Sequence, residues 1–570
     1  MKSTSITALF ALFLLVGCDS SSSGSSSSDS GSSSDSNSDS TTTQATDFVA
    51  ETTLLSYDFE GTTHNWDSYG TSSSLNSSIQ RSGDSSLQVS NRTSAWFGSM
   101  YDLHTAGEAL YPLEADTTYI LRGYIRQQDA SASNNYNLDR LTTAEDQNDD
   151  GVRLNRVHLD DDQWTLFRGY LSTYDGLLDD GVTLRLNSDN NGNFFLDDIS
   201  VSQTRYEPDN SGTPLKIQGT QLVNAEGEVV QLQGINLIAY GDETDDSGQP
   251  AVFSNFNTYS YFNYDRQDFH DIKAMGFNSI RLALWYRAFE EDSAPGVWLE
   301  SGFDWLDIVL GWAKEAGLYV VLDMHAPPGG GFQGPNNVTD FWRDSSVYDG
   351  DYSDCAATAY RCRYIHLWEE LARRYHNDPV IAAYDLLNEP NPDVQSEYPE
   401  LMKATIDAIR KIDTTRPLMI EHSFNDAAEV SNFLLKNDQG EDYDDQLIYD
   451  IHIYDPWSEF TAHATSVYDQ DVDDTALQNA MSEFQVIYNN YPFHVGEFGQ
   501  KSDDLQRYQD KNAAGWITDL MDLMDARGIH YHYFAYKGNE FGIFQDENSF
   551  AANSPKNQSL IDLLKARLVD

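Results

Sequence analysis

The pattern of hydrophobic and polar positions divides the chain into two regimes. From about Phe48 to Gln203, short alternating runs such as Ser85-Leu87-Val89 and Tyr119-Leu121-Gly123-Ile125 are separated by Ser, Asn, Asp and Gly. A period of two marks half-buried strands, and the polar breaks mark turns between them. No helical period of useful length interrupts this texture, which predicts an all-β sandwich over 48–205. Lys216 to Val230 predicts a hairpin turning near Ala225-Glu226-Gly227. From Gln231 onward, apolar runs alternate with helical patterns. The predicted strands cover 232–237, 278–284, 319–324, 382–387, 418–421, 448–453, 493–497 and 531–536. Helical stretches lie between most of them, including 302–316, 364–375 and 513–526. Eight β-α steps over about 340 residues fit a (β/α)8 TIM barrel. A doubly wound sheet is the alternative, but no Gly-rich phosphate turn follows the first strand. The predicted fold class is α/β, with a barrel over 215–570 joined through a linker at 206–214 to the sandwich.

The first residues read differently. Lys2 precedes a short apolar stretch from Ile6 to Gly17, too brief to span a bilayer comfortably. It ends in Leu15-Val16-Gly17-Cys18, which resembles a bacterial lipobox. The resemblance implies a lipoprotein signal peptide over 1–17 and acylation of Cys18, with an ordinary signal peptide as the alternative. Fifteen of the 22 residues from Asp19 to Ser40 are Ser. Such a segment cannot bury a core, so 18–47 is expected to be a disordered tether with a reach of roughly 30 Å. The expected location is outside the cytoplasm, on the cell surface or facing the periplasm, anchored to a membrane by lipid alone.

Charge and cysteine content narrow the partners. A net charge of −56 would repel nucleic acid and anionic lipid surfaces, whereas a neutral polymer meets no such penalty. Beyond Cys18 only Cys355 and Cys362 remain. The pair suits a disulfide clipping a local loop in an exported chain. A metal site is the rival, but no His/Cys set at zinc spacing accompanies the pair, and no metal is expected.

In a barrel of this kind, functional groups gather at the C-terminal ends of the strands. Arg281 lies in the second predicted strand, and His325 ends the third. Asn388-Glu389-Pro390 ends the fourth, His452-Ile453-Tyr454 the sixth and Glu497-Phe498-Gly499 the seventh. Two carboxyls on one apolar rim are costly unless they are used or paired. Cleaving a glycosidic bond needs two, one protonated for the leaving oxygen and one ionised for the sugar carbon. A close negative neighbour is expected to raise the acid's pKa.

Here the chain, from about Leu215 onward, resembles glycoside hydrolase family 5. Tyr384-Asp385-Leu386-Leu387-Asn388-Glu389-Pro390 carries the resemblance, with Asn278-Ser279-Ile280-Arg281, Leu322-Asp323-Met324-His325 and Gly496-Glu497-Phe498-Gly499. It implies Glu389 as acid/base and Glu497 as nucleophile. Arg281 and Tyr454 would hold Glu497, Asn388 would bind the sugar 2-hydroxyl, and His325 and His452 would line the sugar site. Phe534 stands where the family usually has a sugar-stacking Trp. Trp285, Trp342 and Trp457 are further stacking candidates or packing residues. Glu421, His422 and His494 read as structural.

The β-region resembles carbohydrate-binding modules of the jelly-roll type grouped with families 4, 9 and 22. Phe59-Glu60-Gly61, Trp66, Ser82-Gly83-Asp84, Asn91-Arg92-Thr93 with Trp96 and Gly98, Trp164, and Phe195-Leu196-Asp197-Asp198-Ile199 carry that resemblance. Trp66, Trp96, Tyr101 and Trp164 are either glycan contacts or sandwich core. Asp197-Asp198 is a weak signal for a structural calcium ion. The chain is then expected to be a monomeric, retaining polysaccharidase that needs no cofactor for catalysis. Its substrate would be a plant or algal polysaccharide, with a β-1,4-glucan attacked internally as the first choice. β-Mannan, β-1,3-glucan and mixed-linkage glucan are rivals. A non-catalytic glycan-binding surface lipoprotein is the rival from another class.

Overall fold

A computed structural model of the chain describes residues 50–568 except 96, 105–112, 115–116, 133, 142–151, 160, 174–177, 179–180, 206–211, 239–263, 265, 293, 332–337, 344–351, 353–357, 423–433, 455–466, 469–476, 480, 483, 503–504, 538–540 and 545–555. The signal and lipidation site at Cys18, the Ser-rich tether, Trp96, Cys355 and Trp457 lie outside the described residues.

The N-terminal domain contains β1 (Ala50–Tyr57), β2 (Asp67–Tyr69), β3 (Ser72–Asn76), β4 (Ser86–Ser90), β5 (Gly98–His104), β6 (Thr117–Gln127), β7 (Asn134–Leu141), β8 (Val152–Leu159), β9 (Thr165–Thr173), β10 (Val182–Ser188) and β11 (Phe194–Arg205). They form two antiparallel sheets, β3-β4-β11-β6-β9 with β1 on β11, and β2-β5-β10-β7-β8. The alternation seen in the sequence sets the faces. Leu184 and Leu186 of β10 enter the apolar core with Tyr101 and Leu138. The intervening Thr183, Arg185 and Asn187 project to the other face. There Arg185 and Asn187 donate to Asp139, at 3.0 and 2.7 Å, and Asn137 donates to Asn187 at 3.0 Å. The second sheet therefore has one apolar face and one polar, hydrogen-bonding face. Gly98 lets β5 approach β10, because a Cβ there would lie 1.9 Å from the Leu186 carbonyl oxygen.

Tertiary packing resolves two of the open readings. Trp66 and Tyr101 are core residues, 2% and 4% exposed, with ring centroids 5.2 Å apart. Asp197 accepts hydrogen bonds from the backbone N–H groups of Arg81, Ser82 and Asp198. Asp198 pairs with Arg81 at 2.6 Å. A guanidinium and backbone donors thus engage both carboxylates.

The second domain begins with a small antiparallel sheet, β12 (Lys216–Gln218), β13 (Gln221–Val223) and β14 (Val229–Val230). Eight parallel strands then close into a barrel: β15 (Gln233–Ile238), β16 (Ser279–Trp285), β17 (Tyr319–Ala326), β18 (Ile381–Asp385), β19 (Leu418–Glu421), β20 (Leu447–Tyr454), β21 (Phe493–Gly499) and β22 (His530–Tyr533). β15 pairs with both β16 and β22, which completes the circle. The helices described around it are α1 (Arg266–Ala274), α2 (Glu300–Ala316), α3 (Asp340–Arg343), α4 (Tyr360–Tyr375), α5 (Glu397–Arg410), α6 (Gln485–Tyr488), α7 (Leu505–Asp510), α8 (Ala513–Asp525) and α9 (Gln558–Leu568). Gly317 stops α2 at φ 69°, with its N–H on the Ala313 and Lys314 carbonyls, the left-handed cap that glycine adopts at least cost.

The barrel interior is graded. Val321, Ala383 and Met419 pack with Leu215, Leu222 and Leu232 around the small sheet, making an apolar plug. Nearer the C-terminal ends of the strands the inward positions become charged. The two domains touch where α2 meets β6 and β11. Ile120 of β6 is fully buried within the barrel's apolar cluster.

Candidate active site

Arg281 is the hub of the charged layer. It is fully buried, so each of its donors needs an acceptor. Nε donates to Asp385 at 2.8 Å, and Nη1 to Glu497 at 3.0 Å and Asn236 at 3.1 Å. Nη2 donates to Asn388 at 2.9 Å, and Asp323 lies 3.2 Å from Nη1. Burial by itself would lower the guanidinium's pKa, but Asp323, Asp385 and Glu497 more than reverse this, so it stays charged.

The two glutamates meet at one imidazole nitrogen, Nδ1 of His452. Glu497, on β21, is 3% exposed and takes one bond from Arg281 and another from the Tyr454 hydroxyl. Glu389 follows β18 in the left-handed region at φ 44°, a strained conformation for a side chain of this size. Its Oε1 lies 2.9 Å from His452 Nδ1, and the same nitrogen lies 3.5 Å from Glu497 Oε2. These two distances limit how far apart the carboxyls can be, and the limit accommodates the roughly 5–5.5 Å typical of retaining glycosidases.

Burial sets the acidity of Glu389. Burial pushes the Glu389 carboxyl up to about 7, with nearby His325 and Arg281 pulling it back. The cause thus differs from the sequence expectation, because desolvation and not a negative neighbour supplies the main upward push. Glu389 must be protonated to act as an acid, so raising the pH through its pKa removes the active form. kcat/KM should therefore fall about tenfold per pH unit above a midpoint near 7. A pH–rate profile checks this, and Glu389→Gln should erase that basic limb.

Several other residues complete the site. Asn388 donates to His325 Nε2 at 3.2 Å, and His325 Nδ1 lies 2.7 Å from Asp323. Asn388 thus joins the arginine hub to the histidine after β17. Phe534 is 6% exposed and packs edge-on against Tyr454 and Phe541, with centroids 6.3 and 6.0 Å away. Trp342 is buried and, with Phe341, Pro390 and Asn391, lines a small cavity beside Glu389. Trp285 is only partly buried, and Arg287 lies over its ring. Cys362 is disulfide-bonded and fully buried.

Glu421 and His494, read as structural, and Asp450, which the sequence does not single out, lie close to the chemistry. Glu421 accepts the backbone N–H of Glu389 at 2.6 Å, and its other oxygen is 3.2 Å from His452 Nε2. Asp450 accepts the N–H of Gly496, next to Glu497, at 2.7 Å, and lies 3.2 Å from His494 Nδ1. A polar residue ending a strand is the only sequence signal that could have singled these out.

Comparison with known proteins agrees with this geometry. Residues 224–540 match the family described as Cellulase (glycosyl hydrolase family 5). Residues 51–192 match a carbohydrate binding domain. Endoglucanase C of Acetivibrio thermocellus is 26% identical over 357 residues, covering 55% of this chain and 95% of that protein. A beta-xylosidase of Phanerodontia chrysosporium is 31% identical over 241 residues, covering 38% and 48%. A solved β-glucanase from Saccharophagus degradans aligns with a TM-score of 0.44 and 16% identity, over 64% of this chain and 97% of its own. The chain belongs to glycosyl hydrolase family 5 and is a glycoside hydrolase with a carbohydrate-binding domain ahead of its barrel.

Proposed function

We propose that this enzyme is an endo-acting β-1,4-glucanase in which Glu389 is the acid/base and Glu497 the nucleophile. One observation carries the assignment: His452 Nδ1 lies 2.9 Å from one carboxyl and 3.5 Å from the other. In the first step Glu389 gives its proton to the glycosidic oxygen as the bond to the anomeric carbon breaks. A Glu497 oxygen forms a new bond to that carbon. In the second step Glu389, now ionised, takes a proton from water, and the water oxygen displaces Glu497. Two inversions give net retention, with no metal or organic cofactor required.

The supporting residues follow from the same reading. Arg281 and Tyr454 hold Glu497 in place, each through a hydrogen bond to one of its oxygens. Asn388 meets the sugar 2-hydroxyl, and His325, His452 and Phe534 line the sugar site. The name of the Acetivibrio relative, an endoglucanase, supports internal attack on a glucan. The N-terminal domain would hold the enzyme on polysaccharide, while Asn137, Asp139, Arg185 and Asn187, buried and bonded to one another, would brace the sheet beneath. Acylation at Cys18 would hold a monomeric enzyme at the membrane, facing the periplasm or the outside.

A panel of soluble β-1,4-glucan, β-mannan, β-1,3-glucan and mixed-linkage glucan tests this reading. The β-1,4-glucan should lose viscosity fastest, and proton NMR should detect the β-anomer of the new reducing end first. An α-anomer appearing first would sink the retaining mechanism, and faster cleavage of mannan would reassign the substrate. Removing residues 48–205 should weaken retention on insoluble cellulose far more than the rate on the soluble polymer.

A further inference from the structure

Asp385, Glu421 and Asp450 converge beside Glu389. All three are almost wholly buried, and one oxygen from each lies within 4.8 Å of the others. Three carboxylates this close cannot all stay ionised away from water, so protons must neutralise some of them. The titratable and charged groups facing Glu421 among the described residues are Asp385 of β18, Glu389 after it, His452 and Asp450 of β20, Arg281 of β16, and Tyr398 of α5, whose hydroxyl donates to the Glu421 carbonyl oxygen at 2.7 Å. Arg281 is already shared among Asp385, Asp323 and Glu497. Asp385 has its hydrogen bond from that arginine, and Asp450 has the Gly496 N–H. Among the described residues the Glu421 carboxyl receives only a neutral backbone donor, the Glu389 N–H, and is pushed up furthest of the three by burial and by its acidic neighbours.

His452 makes the placement of that proton consequential. Burial lowers this histidine to about 4, so near neutral pH it is an imidazole with one N–H and one bare nitrogen. If Nδ1 were bare, it would accept the Glu389 proton and hold it back from the leaving oxygen. If Nδ1 carries the hydrogen, it donates to Glu389 Oε1, and Nε2 needs a donor of its own. Nε2 is buried and makes no hydrogen bond among the described residues; Glu421 Oε1, 3.2 Å away, supplies one once its carboxyl turns into line.

We propose that Glu421 is a positioning residue for the acid/base: a neutral carboxylic acid whose Oε2 holds the Glu389 backbone N–H and whose hydroxyl at Oε1 donates to His452 Nε2. This fixes the His452 proton on Nδ1, pointed at Glu389 Oε1. The reactive proton of Glu389 is thereby directed to Oε2, the oxygen His452 does not occupy. Glu421 itself exchanges no proton with substrate. The inference rests on reading Glu389 as the acid/base and adds what keeps its proton available.

Glu421→Gln tests it, because an amide reproduces the pattern of a neutral acid. Its oxygen can accept the Glu389 N–H, and its NH2 can donate to His452 Nε2. Glu421→Gln should therefore keep kcat within about threefold and leave the basic limb of the pH profile in place. Glu421→Met has similar length and no polar atom. It should lose about 10- to 100-fold in kcat with little change in KM, and its basic limb should move to higher pH as His452 becomes free to accept from Glu389. Nitrogen-15 NMR of the wild-type enzyme, with His452 assigned by its loss in His452→Asn, should find Nδ1 protonated and Nε2 bare.

A Glu421→Gln enzyme as impaired as Glu421→Met would mean that an ionised Glu421 is required, and would overturn the proposal. Unchanged kcat and pH profile in both variants would reduce Glu421 to packing, and a bare Nδ1 would also refute it. If Glu421→Met does not fold, the Gln variant and the spectrum still decide. Glu389→Gln run on the same polymer separates the two levels of inference. Full activity there would remove the acid/base reading itself, whereas the tautomer of His452 is measured without turnover.

Discussion

Replacing Glu497 by Gln is expected to lower kcat by about 10⁴-fold or more on every substrate, because no other group can form the bond to the anomeric carbon. The amide keeps the size and the hydrogen bonds of the site, so folding and glycan binding should survive. Replacing Glu389 by Gln should cost about 10²- to 10⁴-fold on polysaccharide. The loss should be far smaller on an aryl glycoside whose leaving group needs no proton. Azide then separates the roles. With Glu497→Ala and an activated substrate, azide enters from the nucleophile's side and gives a glycosyl azide of inverted configuration. With Glu389→Ala, azide intercepts the glycosyl-enzyme and gives a product of retained configuration. The opposite pairing of stereochemistry and variant would exchange the two roles. If wild type and Glu497→Gln both bind glycan and neither releases reducing ends, the protein is a binding protein and not a hydrolase.

Arg281→Met should produce the largest loss of stability. The side chain is fully buried and faces Asp385, Glu497 and Asp323 within 3.2 Å. Removing one partner of a buried pair leaves uncompensated charge and typically costs about 3–5 kcal/mol. For a domain of this size, that corresponds to a fall in Tm on the order of 10 °C. The deficit should depend on pH. Without the arginine, the orphaned carboxylates are neutralised as pH falls, so the gap from wild type should be wider at pH 7 than at pH 5. Adding Asp385→Asn to Arg281→Met should recover part of the loss, because it removes one of the orphaned charges. Calorimetry of the three proteins measures all of this. A Tm unchanged by Arg281→Met would mean that the hub does not carry the charged layer.

These expectations draw unequally on sequence and structure. The eight barrel strands are legible because parallel strands buried on both faces read as apolar runs, and each run ends in polar residues where the barrel opens. Glu389 and Glu497 are legible for a related reason. Each lies in a short motif at a strand end, and Asn388-Glu389-Pro390 and Gly496-Glu497-Phe498-Gly499 occur in the right order among the strands. The β-sandwich is legible from its period of two.

The supporting chemistry is not local in the chain. Glu421 and Glu389 are 32 positions apart, and Arg281 and Glu497 are 216 apart; only closure of the barrel brings them together. A lone acidic residue at the end of an apolar run looks the same whether it forms a surface ion pair or holds the backbone of the acid/base. Trp66 and Tyr101 were ambiguous because an aromatic ring suits a glycan and a core equally well, and only sheet packing buries them. The pKa of Glu389 is the clearest case. The sequence by itself determined that two carboxyls would meet on one rim, since residue type and strand order are written in it. Tertiary structure alone decided that desolvation sets the acidity of Glu389, and that Arg281, His452 and Glu421 surround the pair, because burial and distance are properties of the closed barrel.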